Sequence, residues 1–272
     1  MISVKNKILK YQSKCLISLE VFLFIAIGIF WFSIASAVEP FGASVVNGST
    51  SRASPNSPES VPAQAGNVTE LTISGYSVTQ TWQGYFGNVT GTIQLANANN
   101  QAIYNWSLAS PQGEVYASTN STITWGSIQC FNFTANGTQG GIGGETAGAT
   151  SVGGLNLTQL ESRFNIASFD ADGVNNTFTL QDHDAFFTAN LQFSSNECRS
   201  TRVYSSSGAV DQQFEEVLLY EPATRSVVFA SLIEQNLAGF DNANHDFEML
   251  VLEDGHGTDT SSTPYFFFIE LE

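Results

Sequence analysis

Residues 214–234 read FEEVLLYEPATRSVVFASLIE, which is a strand, a short turn at residues 221–225 and a second strand. Residues 227–233 (VVFASLI) are apolar on both of the faces that a strand presents. Residues 265–271 (YFFFIEL), near the end of the chain, have the same character. Such strands lie in the middle of a sheet or beneath a covering layer. We therefore expect a sheet-built domain with these strands inside it.

Further strands are predicted on both sides of this pair, because runs of alternating or β-branched and aromatic residues are separated by turn residues. They are residues 67–83, 88–95, 102–108, 114–118, 122–132 and 247–253. One short helix is predicted at residues 155–164, after a glycine-rich loop at residues 135–154. Short connections between strands are typical of antiparallel sheets. The predicted fold class is all-β, with an antiparallel, β-sandwich-like domain.

Three tryptophans, Trp82, Trp106 and Trp125, lie in or beside the predicted strands. Aromatic side chains at alternating positions bury a large apolar area. We expect these tryptophans to pack in the core, and a surface groove is the alternative.

An apolar segment near the N-terminus, residues 16–38 (LISLEVFLFIAIGIFWFSIASAV), contains one carboxylate, Glu20. As a helix it would be roughly 35 Å long at ~1.5 Å per residue, enough to cross a hydrocarbon core of ~30 Å. Four lysines precede it and none follows it. By the positive-inside rule the N-terminal arm lies in the cytoplasm and residues 39–272 lie outside the cell. We therefore predict a single N-terminal transmembrane helix in contact with membrane lipid.

The start of this segment, Lys14-Cys15-Leu16-Ile17-Ser18-Leu19-Glu20, resembles the class III signal peptide of archaeal type IV pilin-like proteins, K-G-Q-x-S-x-E followed by an apolar run. Lys14, Ser18 and Glu20 match that pattern in type and spacing. Cys15 and Leu16 stand where the family has glycine and glutamine, on either side of the expected cleavage point. The resemblance is confined to the N-terminal segment. It implies cleavage after Cys15 and assembly of the apolar helices in a filament core.

Glu20 has a physical role under that interpretation. Cleavage after Cys15 would give Leu16 a new α-amino group, and packing of the helices would bury this amine together with the Glu20 carboxylate. Buried opposite charges are tolerated when they are paired. Two alternatives stay open: secretion after cleavage at Ala35-Ser36-Ala37, an A-x-A site, or an uncut membrane anchor.

The chain therefore divides into four predicted regions. Residues 1–15 form a basic cytoplasmic leader, residues 16–38 the transmembrane helix and residues 66–272 an extracellular β-rich domain. Residues 39–65 hold four of the seven prolines and little that could pack, which is typical of an extended, solvated linker.

The charge balance limits the partners of the chain. Beyond residue 38 there are 24 acidic residues against five arginines, and the net charge of the whole chain is −16. This balance argues against nucleic acid and anionic membrane surfaces as partners. Membrane lipid through residues 16–38 and self-assembly are the partners that we expect.

Cys130 and Cys198 are the two cysteines beyond the apolar segment. Neither has the C-x-x-C partner that metal or redox sites use. In an oxidising exterior two such cysteines are most simply joined in a disulfide.

Asn-x-Ser/Thr sequons are more numerous than the composition would give by chance, which indicates N-glycosylation of an extracellular protein. Asparagine and threonine at the turns of a polar β-protein are the alternative explanation. The candidate asparagines are Asn47, Asn67, Asn88, Asn105, Asn120, Asn132, Asn136, Asn156 and Asn175.

An oxygen-rich group of aspartates gives one weak indication of a cofactor. Asp170, Asp172, Asp182 and Asp184 could supply ligands to Ca²⁺, which takes six to eight oxygens, but a solvated acidic turn is the explanation that we favour. No other cofactor is predicted. The histidines, His183, His245 and His256, are scattered beside acidic residues, and we expect them at the surface.

No catalytic function is predicted. Gly255-His256-Gly257-Thr258 matches a short string around the histidine of subtilisin-like proteases, but the order Asp…His…Ser cannot be completed in the few residues that remain. We expect a structural cell-surface protein, membrane-anchored or a pilin-like filament subunit, with a glycosylated β ectodomain. The alternatives are a membrane-tethered module that binds glycans or surface proteins and, ranked last, a secreted hydrolase.

Overall fold

The computed structural model describes residues 39–46, 48–133, 155–203, 213–256 and 260–271. The predicted leader and transmembrane helix, with Lys14, Ser18 and Glu20, lie outside these residues. So do Asn47, Asn136 and the glycine-rich loop. Across the described ranges, no helix has both the length and the apolar character that a membrane span requires.

Strands are the main regular secondary structure of the described chain, and every strand pair is antiparallel, which confirms the all-β prediction at that level. The strands are β1 Phe41–Gly42, β2 Trp82–Gly87, β3 Gly91–Ala96, β4 Ala102–Leu108, β5 Gly113–Ser118, β6 Gln129–Cys130, β7 Phe186–Thr188, β8 Leu191–Phe193, β9 Ser200–Val203, β10 Phe214–Glu221, β11 Ser226–Leu232, β12 Leu237–Ala238, β13 Asn244–His245, β14 Phe247–Leu252 and β15 Phe266–Leu271. The helices are α1 Leu157–Arg163 and α2 Val174–Thr177, with a 3₁₀ turn at Trp125–Ser127.

Seven strands form the central sheet, in the order β1–β15–β5–β11–β10, with β6 and β9 sharing the outer edge of β10. Strand β9 pairs with the first half of β10, from Phe214 to Val217, and β6 pairs with Leu219 and Tyr220. The two short strands therefore lie one after the other along a single edge. The remaining strands form two-stranded units: β2–β14, β3–β4, β7–β8 and β12–β13.

The predicted hairpin is present as β10 and β11, in register from Glu216 opposite Ser231 to Glu221 opposite Ser226. Its turn is fixed by the Glu221 carboxylate, which accepts hydrogen bonds from Ala223 N (2.8 Å) and Thr224 N (2.9 Å). Burial opposes ionisation of Glu221, but the hydrogen bonds from Thr224 and Ala223 outweigh it and lower the pKa of this carboxyl. The chain closes the turn with Arg225 at φ 58°, in the left-handed region.

Both faces of the central sheet are covered by apolar groups. Leu218, Tyr220 and Phe229 point into one cluster, which also includes Leu160 of α1 and Met249 of β14. The alternate residues of β10 and β11, among them Val217, Leu219 and Val228, belong to a second cluster with Trp125 and the β7–β8 hairpin. This confirms the expectation that residues 227–233 are buried on both faces. Residues 265–271 are less covered, since Phe266 at the start of β15 is exposed.

The strand predicted at residues 67–83 is present only as β2, from Trp82. Residues 67–79 have no regular secondary structure and are mostly exposed. The apolar positions explain the difference, since Leu71 and Ile73 are odd-numbered but Tyr76 and Val78 are even-numbered. A strand places odd and even residues on opposite faces, so no single face could bury all four.

The predicted linker also differs from the observed chain. Phe41 and Gly42 pair with Ile269 and Phe268 of β15, so the sheet begins before the proline-rich stretch. The irregular chain that follows β1 continues past residue 65 as far as β2. The predicted strand at residues 122–132 is a 3₁₀ turn followed by β6. The predicted helix is confirmed as α1, which Asn156 begins with a capping box to Gln159.

Candidate functional site

The β3–β4 hairpin carries the most exposed apolar surface among the described strands. Its two strands pair from Gly91 opposite Leu108 to Ala96 opposite Ala102, with a register shift at Leu95/Ala96. The connecting turn is built by Asn97, whose Oδ1 accepts hydrogen bonds from Asn99 N (2.9 Å) and Gln101 N (3.0 Å). Asparagine favours this turn because its short side chain caps nearby backbone N–H groups.

One side of this hairpin is apolar. Ile93 lies opposite Trp106, and Leu95 lies opposite Tyr104, so the four side chains share one side of the two-stranded ribbon. The rings of Tyr104 and Trp106 are in contact, with centroids 4.8 Å apart. Each of the four residues is 48–58 % exposed. We call these four side chains the hairpin face.

The base of the hairpin is fixed against the central sheet. The backbone of Gly91 lies close to the side-chain end of Leu271 in β15, which would have to move to make room for a Cβ there. Just before β3, the backbone N–H of Val89 donates a hydrogen bond to Asp246 Oδ2 (2.8 Å). The hairpin therefore projects from a defined position on the domain.

The hairpin lies in a long uncharged part of the sequence. Between Glu70 and Glu145 the one charged residue is Glu114, and its side chain is buried in β5. No acidic, basic or histidine side chain occurs in β3, β4 or their turn. The β3–β4 hairpin is therefore an uncharged and partly apolar region in a chain whose net charge is −16.

Trp106 departs from the sequence-based expectation that the tryptophans pack in the core. Trp125 is buried and Trp82 is half-buried, with Trp82 Nε1 donating to the carbonyl of Asp172 (2.6 Å). Trp106 belongs to the exposed hairpin face instead. The alternation in β4 is the same for a strand covered by a second layer and for one left open, so the pattern alone could not distinguish them. The absence of charge across both strands was the available signal.

The Cys130–Cys198 disulfide is formed, as predicted. It joins β6 to the segment just before β9, the two strands that share the edge of β10. Both half-cystines are buried in the second apolar cluster. The disulfide therefore links β6 covalently to the segment before β9, and each of these short strands forms few hydrogen bonds.

His183 lies beside this disulfide, in the interior, so the expectation of a surface histidine was wrong for this residue. Its Nε2 accepts a hydrogen bond from Cys198 N (2.9 Å), and its Nδ1 donates to the carbonyl of Asp184 (2.7 Å). Burial lowers the pKa of His183, which favours the neutral imidazole that this arrangement needs. His245 is also buried, and its Nε2 lies 2.9 Å from Asp241 Oδ1.

Three of the four calcium candidates bind groups of the protein itself through their carboxylates, and Asp184 does so through its backbone. Asp170 Oδ2 accepts from Ala167 N (2.6 Å), and Asp172 Oδ2 accepts from Thr79 Oγ1 (2.5 Å). Asp182 pairs with the guanidinium of Arg202 at 3.3 Å, and Asp184 N donates to Glu215 Oε2 (2.6 Å). Across the described ranges, no three acidic, histidine or cysteine side chains form a set suited to a metal ion.

The sequons fall in three kinds of environment. The side chains of Asn67, Asn88, Asn105 and Asn175 are exposed. Those of Asn120 and Asn156 are half-buried and hydrogen-bonded, Asn156 as the cap of α1. Asn132 is 9 % exposed. Asn105 lies in β4 on the side of the hairpin opposite to the hairpin face, because it is adjacent in sequence to Trp106.

Two buried carboxylates meet at one phenol inside the second cluster. Glu114 and Glu270 lie opposite each other on β5 and β15. The Tyr116 hydroxyl lies 3.3 Å from Glu114 Oε2 and 3.2 Å from Glu270 Oε2. Burial, followed by the charges of Glu114 and Glu270, raises the pKa of Tyr116. The phenol therefore stays protonated, and its single O–H can donate to one of these two carboxylates at a time.

Comparison of the chain with protein-family models, curated proteins and solved structures found no match.

Proposed function

We propose that this chain is a structural cell-surface protein whose β-rich body is held outside the cell by the apolar segment at residues 16–38. It acts as a membrane-anchored protein or as a pilin-like filament subunit, with no enzymatic role. In this proposal the β2–β14 pair and the central sheet are the two layers of a β-sandwich-like ectodomain.

The Cys130–Cys198 disulfide is the observation that supports this proposal most directly. Structural disulfides persist in oxidising compartments outside the cytoplasm. Four lysines precede residue 16 and no lysine follows it. By the positive-inside rule this distribution also favours a location of residues 39–272 outside the cell. Four exposed sequon asparagines are compatible with glycans on that side.

Labelling of intact cells tests the location. A membrane-impermeant carboxyl reagent, or an added protease, should reach residues 39–272, while a cytoplasmic protein used as a control stays unmodified. Protection of the β-rich body until the cells are lysed would refute the proposal.

Electron microscopy with an antibody to the β-rich body separates the two forms of the proposal. Labelled fibres indicate a filament subunit, and an even coat indicates an anchored protein. N-terminal sequencing of the native protein adds the processing state: Leu16 first indicates the pilin-like cleavage, and Val38 first indicates secretion.

A membrane-tethered binding module is the second candidate, and the hairpin face favours it. Exposed aromatic rings such as those of Tyr104 and Trp106 bind the apolar faces of neutral sugars and the side chains of other proteins. Loss of adhesion to glycan-coated beads on Trp106→Ala substitution would support this candidate.

A further inference from the structure

We propose that the hairpin face of one copy of this chain binds the hairpin face of a second copy. The hairpin face consists of Ile93, Leu95, Tyr104 and Trp106. The inference deepens the proposed structural role, because it names the surface through which the surface protein associates.

The exposure of the hairpin face is the first argument. Single exposed apolar residues are common on protein surfaces, but contiguous patches of several large side chains usually mark interaction sites. Here four large side chains, two of them aromatic and in ring contact, lie together and each is about half exposed. A two-stranded hairpin is also marginally stable by itself in water. Covering this face in an assembly would bury the apolar area that the hairpin needs.

The charge distribution indicates that the occupant is another copy. Two molecules of net charge −16 repel each other, and acidic surfaces brought into contact would have to lose their hydration. The β3–β4 hairpin contains no charged residue, so two copies can meet there without placing like charges in the contact. A strongly basic partner would be recognised by acidic groups, which this face lacks.

The strand edges of the hairpin support the same occupant. Proteins commonly protect exposed strand edges from pairing with another chain by charged residues, proline or β-bulges. Neither β3 nor β4 contains a charged residue or a proline, and the register shift at Leu95/Ala96 is limited to the end of the hairpin nearest its turn. The opposite side of the hairpin carries one large apolar residue, Ile103, and the Asn105 sequon, whereas the hairpin face groups four large apolar side chains and is the side suited to contact. Packing of two identical faces gives a self-complementary contact with two-fold symmetry.

Cysteine cross-linking of the full chain, purified in detergent, tests the proposal. Ile93→Cys and Tyr104→Cys place a thiol on the hairpin face. Thr92→Cys and Gln94→Cys place one on the opposite side of the same strand pair and are the matched controls, with the unsubstituted chain as the baseline for Cys15. After mild oxidation, non-reducing gels should show several-fold more disulfide-linked dimer for the first two variants than for the controls.

A second substitution on the same background checks that packing drives the contact. Trp106→Ser added to Tyr104→Cys should reduce the dimer yield, whereas Ile103→Ser, which changes an exposed residue outside the hairpin face, should leave it unchanged. Equal cross-linking on both sides of the hairpin would overturn the proposal. The proposal would also be overturned if the cysteine variants of the hairpin face stayed monomeric after oxidation. If Trp106→Ser then also abolished binding to a neutral polysaccharide, the hairpin face would be assigned to glycan binding.

The two proposals can fail separately. Cross-linking in detergent is independent of where the chain lies in the cell, so its failure refutes self-association alone. Protection from labelling in intact cells refutes the surface location alone.

Discussion

Glu216 of β10 and Ser231 of β11 lie directly opposite each other, and both bind the free edge of β14. Glu216 Oε2 accepts a hydrogen bond from Leu250 N (2.8 Å), and Ser231 Oγ donates to the carbonyl of Glu248 (3.0 Å). Strand β14 has β2 on its other edge. One cross-strand pair of the central sheet therefore supplies the hydrogen-bond partners that a neighbouring strand would otherwise provide, and holds the β2–β14 pair in register.

The ionisation of Glu216 should make this junction sensitive to pH. Burial raises the pKa of Glu216 well above its usual range, opposed only in part by the Leu250 hydrogen bond. Its Oε1 has no hydrogen-bond partner within the described residues. Because the native pKa is raised, the stability that protonated Glu216 contributes is complete below its unfolded pKa of about 4.5 and is lost as the pH rises through the native pKa.

Glu216→Gln keeps an oxygen that can accept the Leu250 hydrogen bond and removes the ionisation. We expect the variant and the parent to unfold alike in urea at pH 5. As the pH rises from the unfolded pKa of about 4.5 towards the native pKa of Glu216, the variant should gain about 1.4 kcal/mol in unfolding free energy over the parent for each pH unit, and above the native pKa the difference should stay constant. Glu59→Gln, at an exposed position, is the control that should stay equal to the parent. A difference that does not change with pH would contradict the prediction.

Glu234, just after β11, should give a second and milder pH effect. Burial, then the charges of Glu215 and Asp184, raise the pKa of Glu234 to about 7, although Arg202 opposes them. The stability from its protonated form is complete below about pH 4.5 and declines as the pH rises through 7.

Glu234→Gln should therefore raise the melting temperature at pH 8 by roughly 1–3 °C, a discounted figure for a partly exposed group. At pH 4.5 the melting temperatures of variant and parent should coincide. Scanning calorimetry at the two pH values checks this, with Glu70→Gln in the exposed irregular stretch as the control. An equal shift at both pH values would show that ionisation is not the cause.

Removal of the disulfide should cost a large part of the stability. The bridge closes a loop with a sequence separation of 68 residues, and the chain-entropy model gives about 4 kcal/mol for such a loop. We expect the double variant Cys130→Ala/Cys198→Ala to melt roughly 8–16 °C below the parent. Cys15→Ala is the matched control and should melt with the parent. If the double variant also melts with the parent, the bridge contributes no stability.

The environments of the sequons predict which asparagines carry glycans, given the proposed location. Asn67, Asn88 and Asn105 are accessible to the transferase, whereas the side chain of Asn132 is buried. Mass spectrometry of glycopeptides from the native protein should show modification at the first three and none at Asn132. Unmodified peptides at all three exposed sites, or a glycan at Asn132, would contradict this assignment.

The sequence predicted two hairpins whose strands follow one another along the chain. Strands β10 and β11 follow one another with a turn between them, and so do β3 and β4, so local alternation was sufficient to place them. The α1 helix was found because its cap and apolar spacing are also local. The disulfide followed from counting the cysteines beyond the apolar segment.

Some elements that depend on partners elsewhere in the fold were missed or predicted with other bounds. Strand β9 was not predicted. Strand β6 lies within the strand predicted at residues 122–132, but only Gln129 and Cys130 form it, by pairing with β10 far along the chain. His183 appeared to be a surface residue because its neighbours Asp182 and Asp184 are acidic. Its interior position depends on Cys198, which the disulfide brings next to it. The exposure of the hairpin face likewise depends on which layer covers which strand.

The bridge between Cys130 and Cys198 has a further consequence for a protein exposed to proteases. Every peptide bond between these two residues lies within a covalent ring, so a single cut there releases no fragment. The two pieces would separate on a gel only after a thiol reductant had been added. A chain cut once between Cys130 and Cys198 would therefore keep both of its pieces joined until the disulfide was reduced.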